Sequence, residues 1–139
     1  MSVSPTANEQ KLLSMLLPLQ DPHERLSLIT HACLGPGLPP EARADLDLVA
    51  GCVSLVWLRR VGDENQLRLE WDAESPLVRG LAGLICMVYQ DTEPLDAAAF
   101  QSSILMKLGL DQQLSPTRLR GLAFMEIRIR QLAAGCCAS

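Results

Sequence analysis

Residues 53–72 read VSLVWLRRVGDENQLRLEWD, and the reading of this stretch decides the fold class. Val53 to Val61 is rich in Val, Leu and Trp, Gly62-Asp63-Glu64-Asn65 supplies turn-forming residues, and then Leu67, Leu69 and Trp71 alternate with Arg68, Glu70 and Asp72. Two β-prone runs joined by such a connection predict an antiparallel hairpin. The period of two gives the second strand one wet face, carrying Arg68, Glu70 and Asp72, whereas the first, apolar on both faces, is expected to be the more buried. Trp57 and Trp71 both fall on the hairpin and read as structural, Trp71 on the core face.

Outward from the hairpin the periodicity becomes helical. Ser75-Pro76 caps a helix whose Leu77, Val78, Leu81, Leu84, Ile85 and Val88 form a wide apolar face, and Gly80, Ala82 and Gly83 are expected to let it approach the sheet. Upstream, Leu12, Leu13, Leu16 and Leu17 predict a short helix over residues 9 to 17, stopped by Pro18. Asp21 as N-cap, Pro22 at the first position and Glu24 three residues after the cap predict a second helix from 22 to 34, ended by Gly35-Pro36-Gly37. Residues 38 to 50 read as a loop with one helical turn. Downstream, 91 to 114 reads as short helical pieces with Gly109 as a stop. Ser115-Pro116 then opens a last helix with Leu122, Met125, Ile129 and Leu132 as its core stripe. Its Arg118, Arg120, Arg128 and Arg130 read as a mostly solvated basic face. Helices, hairpin, helices predicts an α+β fold, a small antiparallel β-sheet packed against several α-helices, with 1–139 as one domain bearing a flexible start and tail.

The 139 residues are 48% hydrophobic and 20% charged, the profile of a chain that can bury one ordinary core. Twelve basic against 16 acidic residues give a net charge of −4, which argues against nucleic-acid binding as the main task. The N-terminus lacks the features of a secretion signal, and the apolar run from Gly80 to Tyr89 is too short to span a bilayer, so no membrane role is expected. Five cysteines, an odd number, point to a reducing compartment, hence a cytoplasmic location, rather than a disulfide framework.

Among the cysteines Cys52 stands out, because it follows Gly51 where an irregular segment meets a buried strand, and a rigid scaffold can present a loop side chain there. Cys86 lies in the apolar central helix and Cys33 at the end of the second helix, both core positions. His31-x-Cys33 is too small a set for a metal site, and no metal or other resident cofactor is expected. The Cys136-Cys137-Ala138-Ser139 ending satisfies the prenylation pattern only formally and reads as a tail.

Val49-Ala50-Gly51-Cys52-Val53-Ser54-Leu55-Val56-Trp57 resembles the V-x-G-C-x-S-x-V-W signature of the SufE family, which includes the CsdE branch: sulfur-acceptor proteins that work with cysteine desulfurases in iron–sulfur cluster assembly. Asp21-Pro22-His23-Glu24-Arg25 with Leu28-Ile29 is similar to the family's opening, Leu77-Val78-Arg79-Gly80-Leu81 to its central helix start, and Gly109-Leu110 with Leu114-Ser115-Pro116-Thr117-Arg118 and Gly121-Leu122 to its closing segment. The resemblance runs from about 21 to 133. It implies a SufE/IscU-like fold and a non-enzymatic sulfur-transfer role. Cys52 would take sulfane sulfur from a desulfurase of the SufS or CsdA type as a transient covalent persulfide, stimulate that enzyme, and hand the sulfur to a cluster scaffold. The pyridoxal phosphate chemistry would belong to the partner. Gly51, Ser54, Glu74 and Arg118 are the supporting or partner-binding candidates, Glu74 also suiting the helix N-terminus.

Family members commonly carry polar residues where this chain has Val53 and Leu55. Both would surround the thiol with apolar side chains and favour its neutral form. A closed loop that a partner opens would reconcile protection with reactivity, with Gly51 as hinge and residues 38 to 47 as a segment with little packing to lose. The rival readings are an iron–sulfur or metal scaffold, a cysteine hydrolase and a binding-only regulator of a desulfurase. The first needs several converging ligands, and the second a histidine base with its own signature. The branch, the downstream acceptor and the oligomeric state, a homodimer included, stay open in the sequence.

Overall fold

Seven α-helices and one β-hairpin make up the computed structural model, which describes residues 3–51 and 54–135. Cys52, Val53 and the Cys136-Cys137 tail therefore lie outside the described residues. Helix α1 is Pro5–Leu16 and α2 is Pro22–Ala32. Two 3-10 turns, Pro40–Ala42 and Asp45–Asp47, precede strands β1 (Val56–Val61) and β2 (Arg68–Ala73). Helices α3 (Pro76–Tyr89), α4 (Pro94–Ala99), α5 (Ile104–Lys107), α6 (Leu110–Gln113) and α7 (Pro116–Ala133) follow. This is the α+β arrangement expected.

The long helices begin where their caps dictate. The Asp21 carboxylate accepts from the His23 and Glu24 amides, the Ser75 hydroxyl from the Val78 amide and the Ser115 hydroxyl from the Arg118 amide, each followed by a proline that needs no partner for its nitrogen. Helix α1 starts earlier than the leucine periodicity suggests, because Ser4 also caps, accepting from the Ala7 amide. Helix α2 stops two residues short of the expected 34, with Cys33 as its C-cap. Gly109, at φ +74°, separates α5 from α6, a left-handed position that suits the helical stop read there. Arg25 ties the α1–α2 turn down, its guanidinium donating to the carbonyls of Leu19 at 2.9 Å and Leu108 at 2.8 Å.

Helix α3 is the hub, packing on α1, α2, α7 and β2 with ten of its residues buried. Each fully buried Leu, Ile or Val side chain there contributes roughly 1.5–3 kcal/mol. The small residues of α3 do their work against a helix rather than the sheet alone. A Cβ on Gly80 would meet the Thr30 backbone at 2.7 Å, and one on Gly83 would overlap the carbonyl oxygen of Cys33 and come within 2.9 Å of Trp71 Nε1. The backbones of α2 and α3 thus touch, with Trp71 wedged beside the crossing.

In the hairpin Val56 pairs with Ala73, Leu58 with Trp71 and Val61 with Arg68. Burial follows position along the hairpin as much as strand alternation. The ends at Val56–Leu58 and Trp71–Ala73 are buried and the turn end is open, so β1 is not the more buried strand overall. The largest departure is Asp72, read as facing water, whose side chain is only 1% exposed. The segment 38–47 covers that face, and two-fold alternation cannot report a lid that arrives from elsewhere in the chain. Hydrogen bonds satisfy the carboxylate. Burial pushes its pKa up, but the Leu38 and Ala73 amides and the Arg43 guanidinium outweigh that and hold it below the ordinary range. At the outer edge of β2 the Gln90 side chain pairs with Leu69, accepting from its amide at 2.7 Å and donating to its carbonyl at 3.0 Å. Arg130, assigned to the basic face, is instead ion-paired with Glu126 at 2.7 Å.

Two consequences can be measured. Glycine to alanine within a helix ordinarily gains about 1 kcal/mol; Gly83→Ala should reverse that sign and lower the denaturant midpoint, because the added methyl has no room against Cys33. Burial also pushes the Cys33 thiol from 9.0 up to about 11 and the Cys86 thiol well above its ordinary value. A raised folded-state pKa contributes stability that is complete below the unfolded value and is lost as pH climbs through the folded one. The stability advantage of the parent over Cys33→Ser should therefore be constant up to pH 9.0 and shrink between there and about 11, as read from denaturant curves across that range.

Candidate functional site: the loop of residues 50–55 and its cavity

Leu48 forms a bridge with Trp57, and the Val49 amide donates to the Val56 carbonyl at 2.9 Å. The segment entering the loop is thus paired to the free edge of β1, so the loop of residues 50–55 has a closed base. Its downstream limb is gripped by Glu74. The Glu74 amide donates to the Leu55 carbonyl at 3.1 Å, and the Leu55 amide donates to Glu74 Oε1 at 2.5 Å. Glu74, singled out as a supporting or partner-binding residue that also suits a helix start, uses its carboxylate to fix loop backbone. Leu55, expected to help enclose the thiol, is 45% exposed.

On the upstream limb Gly51 is left-handed at φ +89°, and a Cβ there would stand 2.5 Å from two ring carbons of Phe124 on α7. Backbone conformation and contact both require glycine at this position. Phe124 lies off the core stripe of α7 and is 37% exposed. An aromatic on the wet face of a helix was the available sequence signal for this seat.

Ser54 and Arg118 come together in one cavity of about 110 Å³ between the start of β1, α3 and α7. Val56, Val78, Leu81, Ala82, Leu122 and Met125 give it apolar walls, and Ser54, Ser115, Thr117 and Arg118 supply the polar lining. The Arg118 amide closes the α7 cap. Among the described residues its half-buried guanidinium has no hydrogen-bond or ion-pair partner. The cavity therefore exerts two opposed influences on any thiol or sulfur anion within it, apolar walls favouring the neutral form and a fixed cation favouring the charged one. Of the five residues singled out in the sequence, Gly51, Ser54 and Glu74 sit on or against this loop, Arg118 shares the cavity with Ser54, and Cys52 lies outside the described residues.

The remaining candidates are placed elsewhere. Cys33 and Cys86 are buried free thiols. His23 and His31 are exposed on α2, His31 with Nδ1 2.7 Å from the Ser27 carbonyl. Among the described residues no group of three His, Cys, Asp or Glu side chains is placed to hold a metal ion, and no helix is long and apolar enough to cross a membrane.

Residues 10–133 match the family model described as SufE, an Fe-S metabolism associated domain. Among solved structures the chain is similar to the solution structure of a hypothetical protein from Thermus thermophilus, with a TM-score of 0.75 and 20% identity over 96% of this chain and 97% of that one. At that identity the likeness shows the fold.

The Glu74 grip can be tested by amide exchange. Glu74→Ala should raise exchange at the Leu55 amide by about tenfold, whereas Glu74→Gln, which keeps an acceptor oxygen, should stay near the parent rate. Equal rates in all three proteins would show that the carboxylate does not hold the loop.

Proposed function

We propose that this chain, which belongs to the SufE family of Fe-S metabolism associated domains, is a sulfur-acceptor protein that takes persulfide sulfur from a cysteine desulfurase onto Cys52. The observation that carries the reading is the seat of Gly51. The residue immediately before Cys52, inside the family-matched region, is held left-handed against α7, and Ser54, two residues after Cys52, lines a cavity that combines apolar walls with a guanidinium unpaired among the described residues.

The transfer is thiol–persulfide exchange. The Cys52 thiolate attacks the outer sulfur of the partner's persulfide, a new sulfur–sulfur bond forms as the partner's breaks, and the partner cysteine leaves as a thiolate. Sulfane sulfur moves without net oxidation or reduction, and the proton of the outer sulfur returns through solvent to the leaving thiolate. A second exchange of the same kind passes the sulfur to an acceptor thiol on a cluster scaffold. The chain supplies the nucleophile and its positioning. Pyridoxal phosphate, which releases sulfur from cysteine, belongs to the desulfurase, of the SufS or CsdA type, and this chain stimulates it in the cytoplasm without catalysing that step itself.

Arg118 fits this chemistry, because a persulfide is more acidic than its parent thiol and a nearby fixed cation stabilises its anion. A persulfide that entered the cavity would be shielded from water by Val56, Leu81 and Met125, and so from further oxidation and stray exchange. The pairing of Val49 with Val56 and the Glu74 grip on Leu55 fix the chain on either side of Cys52.

Intact mass after incubation with a desulfurase and cysteine tests the proposal. The parent chain should gain the mass of one sulfur atom, reversed by a reductant, and Cys52→Ser should gain none and give no stimulation. A variant lacking Cys33, Cys86, Cys136 and Cys137 should keep most of the activity; a folded but inactive variant of that kind would overturn the assignment to Cys52.

A further inference from the structure

Asp72 lies on β2 beneath the segment that leads into the loop. Its Oδ2 accepts from the Leu38 amide at 2.8 Å and from Arg43 Nε and Nη2 at 3.1 and 2.9 Å. Its Oδ1 accepts from the Ala73 amide at 2.8 Å and lies 3.7 Å from Arg79 Nη1. Arg43 reaches further, with its guanidinium over the Trp57 ring, 5.1 Å from the centroid. Trp57 in turn pairs with Asp72 on one side and Leu48 on the other. Carboxylate, guanidinium and indole thus form one unit that runs from the segment 38–43 across the hairpin to the base of the loop.

The segment has little else to hold it. None of residues 39–47 is buried, which agrees with the sparse packing expected there, yet the segment is pinned through Leu38 and Arg43. A buried ion pair is rarely the most stabilising way to fill a space, and apolar replacements often do as well or better. Its contribution here is directional. A guanidinium that sets two N–H groups on one oxygen of a buried carboxylate and lies over an indole restricts the placement of the covering segment, where an apolar contact would tolerate several. Two residues beyond Asp72, Glu74 fixes the opposite limb of the loop, so carboxylates at alternate positions at the end of β2 secure both approaches to residues 50–55.

We propose that Asp72 and Arg43 are positioning residues for sulfur transfer, setting where the upstream limb of the Cys52 loop leaves the sheet. The inference rests on the sulfur-acceptor reading, although the anchoring of the loop can be measured without it. Because the segment buries so little, losing the unit should loosen residues 38–55 and leave the helical core as it was.

The test uses the full chain with Arg43→Gln, Arg43→Lys and Asp72→Asn. Arg43 is partly exposed, so its variants fold even if Asp72→Asn, which disturbs a buried charge, does not. In Arg43→Gln, hydrogen exchange over residues 48–55 should rise about tenfold while α3 and α7 keep the parent rates. The maximal rate of sulfur uptake from a desulfurase should fall by about tenfold, with the half-saturating desulfurase concentration within about twofold of the parent. Arg43→Lys, which keeps a cation near Asp72 and Trp57, should fall between the two. Parent-like exchange and uptake in Arg43→Gln overturn the inference. A loosening spread evenly through α3 and α7 also overturns it, because that marks a purely structural role. If the parent itself acquires no sulfur while Arg43→Gln still loosens the loop, the sulfur-acceptor reading fails and the anchoring stands.

Discussion

Trp71 occupies a space that exists only because two glycines flank it. A side chain at Gly35 would meet the indole at 2.7 Å, and one at Gly83 would meet Nε1 at 2.9 Å while overlapping the end of α2. The α2–α3 crossing and the depth at which β2 sits are therefore set together. Because the strand is placed by its largest residue, the positions after it are placed too. Asp72 is carried under the covering segment and Glu74 to the loop backbone. The candidate site depends on a packing contact in the core that shares no residue with it.

From that contact the architecture divides the work between apolar and polar interactions. Helices α1, α2, α3 and α7 supply the burial, and at the α2–α3 crossing they leave no room for an added methyl, as the overlaps at Gly80 and Gly83 show. The approaches to residues 50–55 are held differently, by a backbone pairing at Val49, a short hydrogen bond to Glu74 and the Asp72–Arg43–Trp57 unit. Hydrogen bonds of this kind fix direction while contributing modest net stability, so a segment built on them can open locally without disturbing the core. That combination suits a loop that must be placed accurately and still yield to a partner.

Much of this was legible in the sequence, for identifiable reasons. Ser75-Pro76, Ser115-Pro116 and Asp21-Pro22 announce helix starts through chemistry local to the cap, and the hairpin follows from a turn and two β-prone runs. The glycine before Cys52 and the motif around it marked the loop. What the sequence concealed was long-range. Asp72 looks solvent-facing because alternation describes the strand and not what covers it, and Arg43, 29 residues away, gives no local sign that it will be the partner. Glu74 reads equally well as a helix-start acid, since its true contact is decided by the β1–β2 register. Leu55 looked like a lid over the thiol on hydropathy alone; the backbone bonds that hold it leave its side chain in solvent. Gly80 and Gly83 were recognised as sites of close approach, but a sequence cannot say whether a sheet or a helix is the neighbour.

The pairing of Gln90 with Leu69 bears on how copies of this chain behave at high concentration. A strand edge with unpaired amides and carbonyls is a template for another chain, and such templating underlies much ordered aggregation. The Gln90 amide offers Leu69 the donor and acceptor that a neighbouring strand would offer, and for Leu67 the Thr92 carbonyl accepts from its amide while the Asp91 amide donates to its carbonyl. The turn-proximal end of β2 and the residue before it are occupied by the chain's own groups. A glutamine one residue past the end of a helix thus fills hydrogen-bonding positions that another strand would need, a covering of the edge made without the lysines or prolines with which exposed strands are more often blunted.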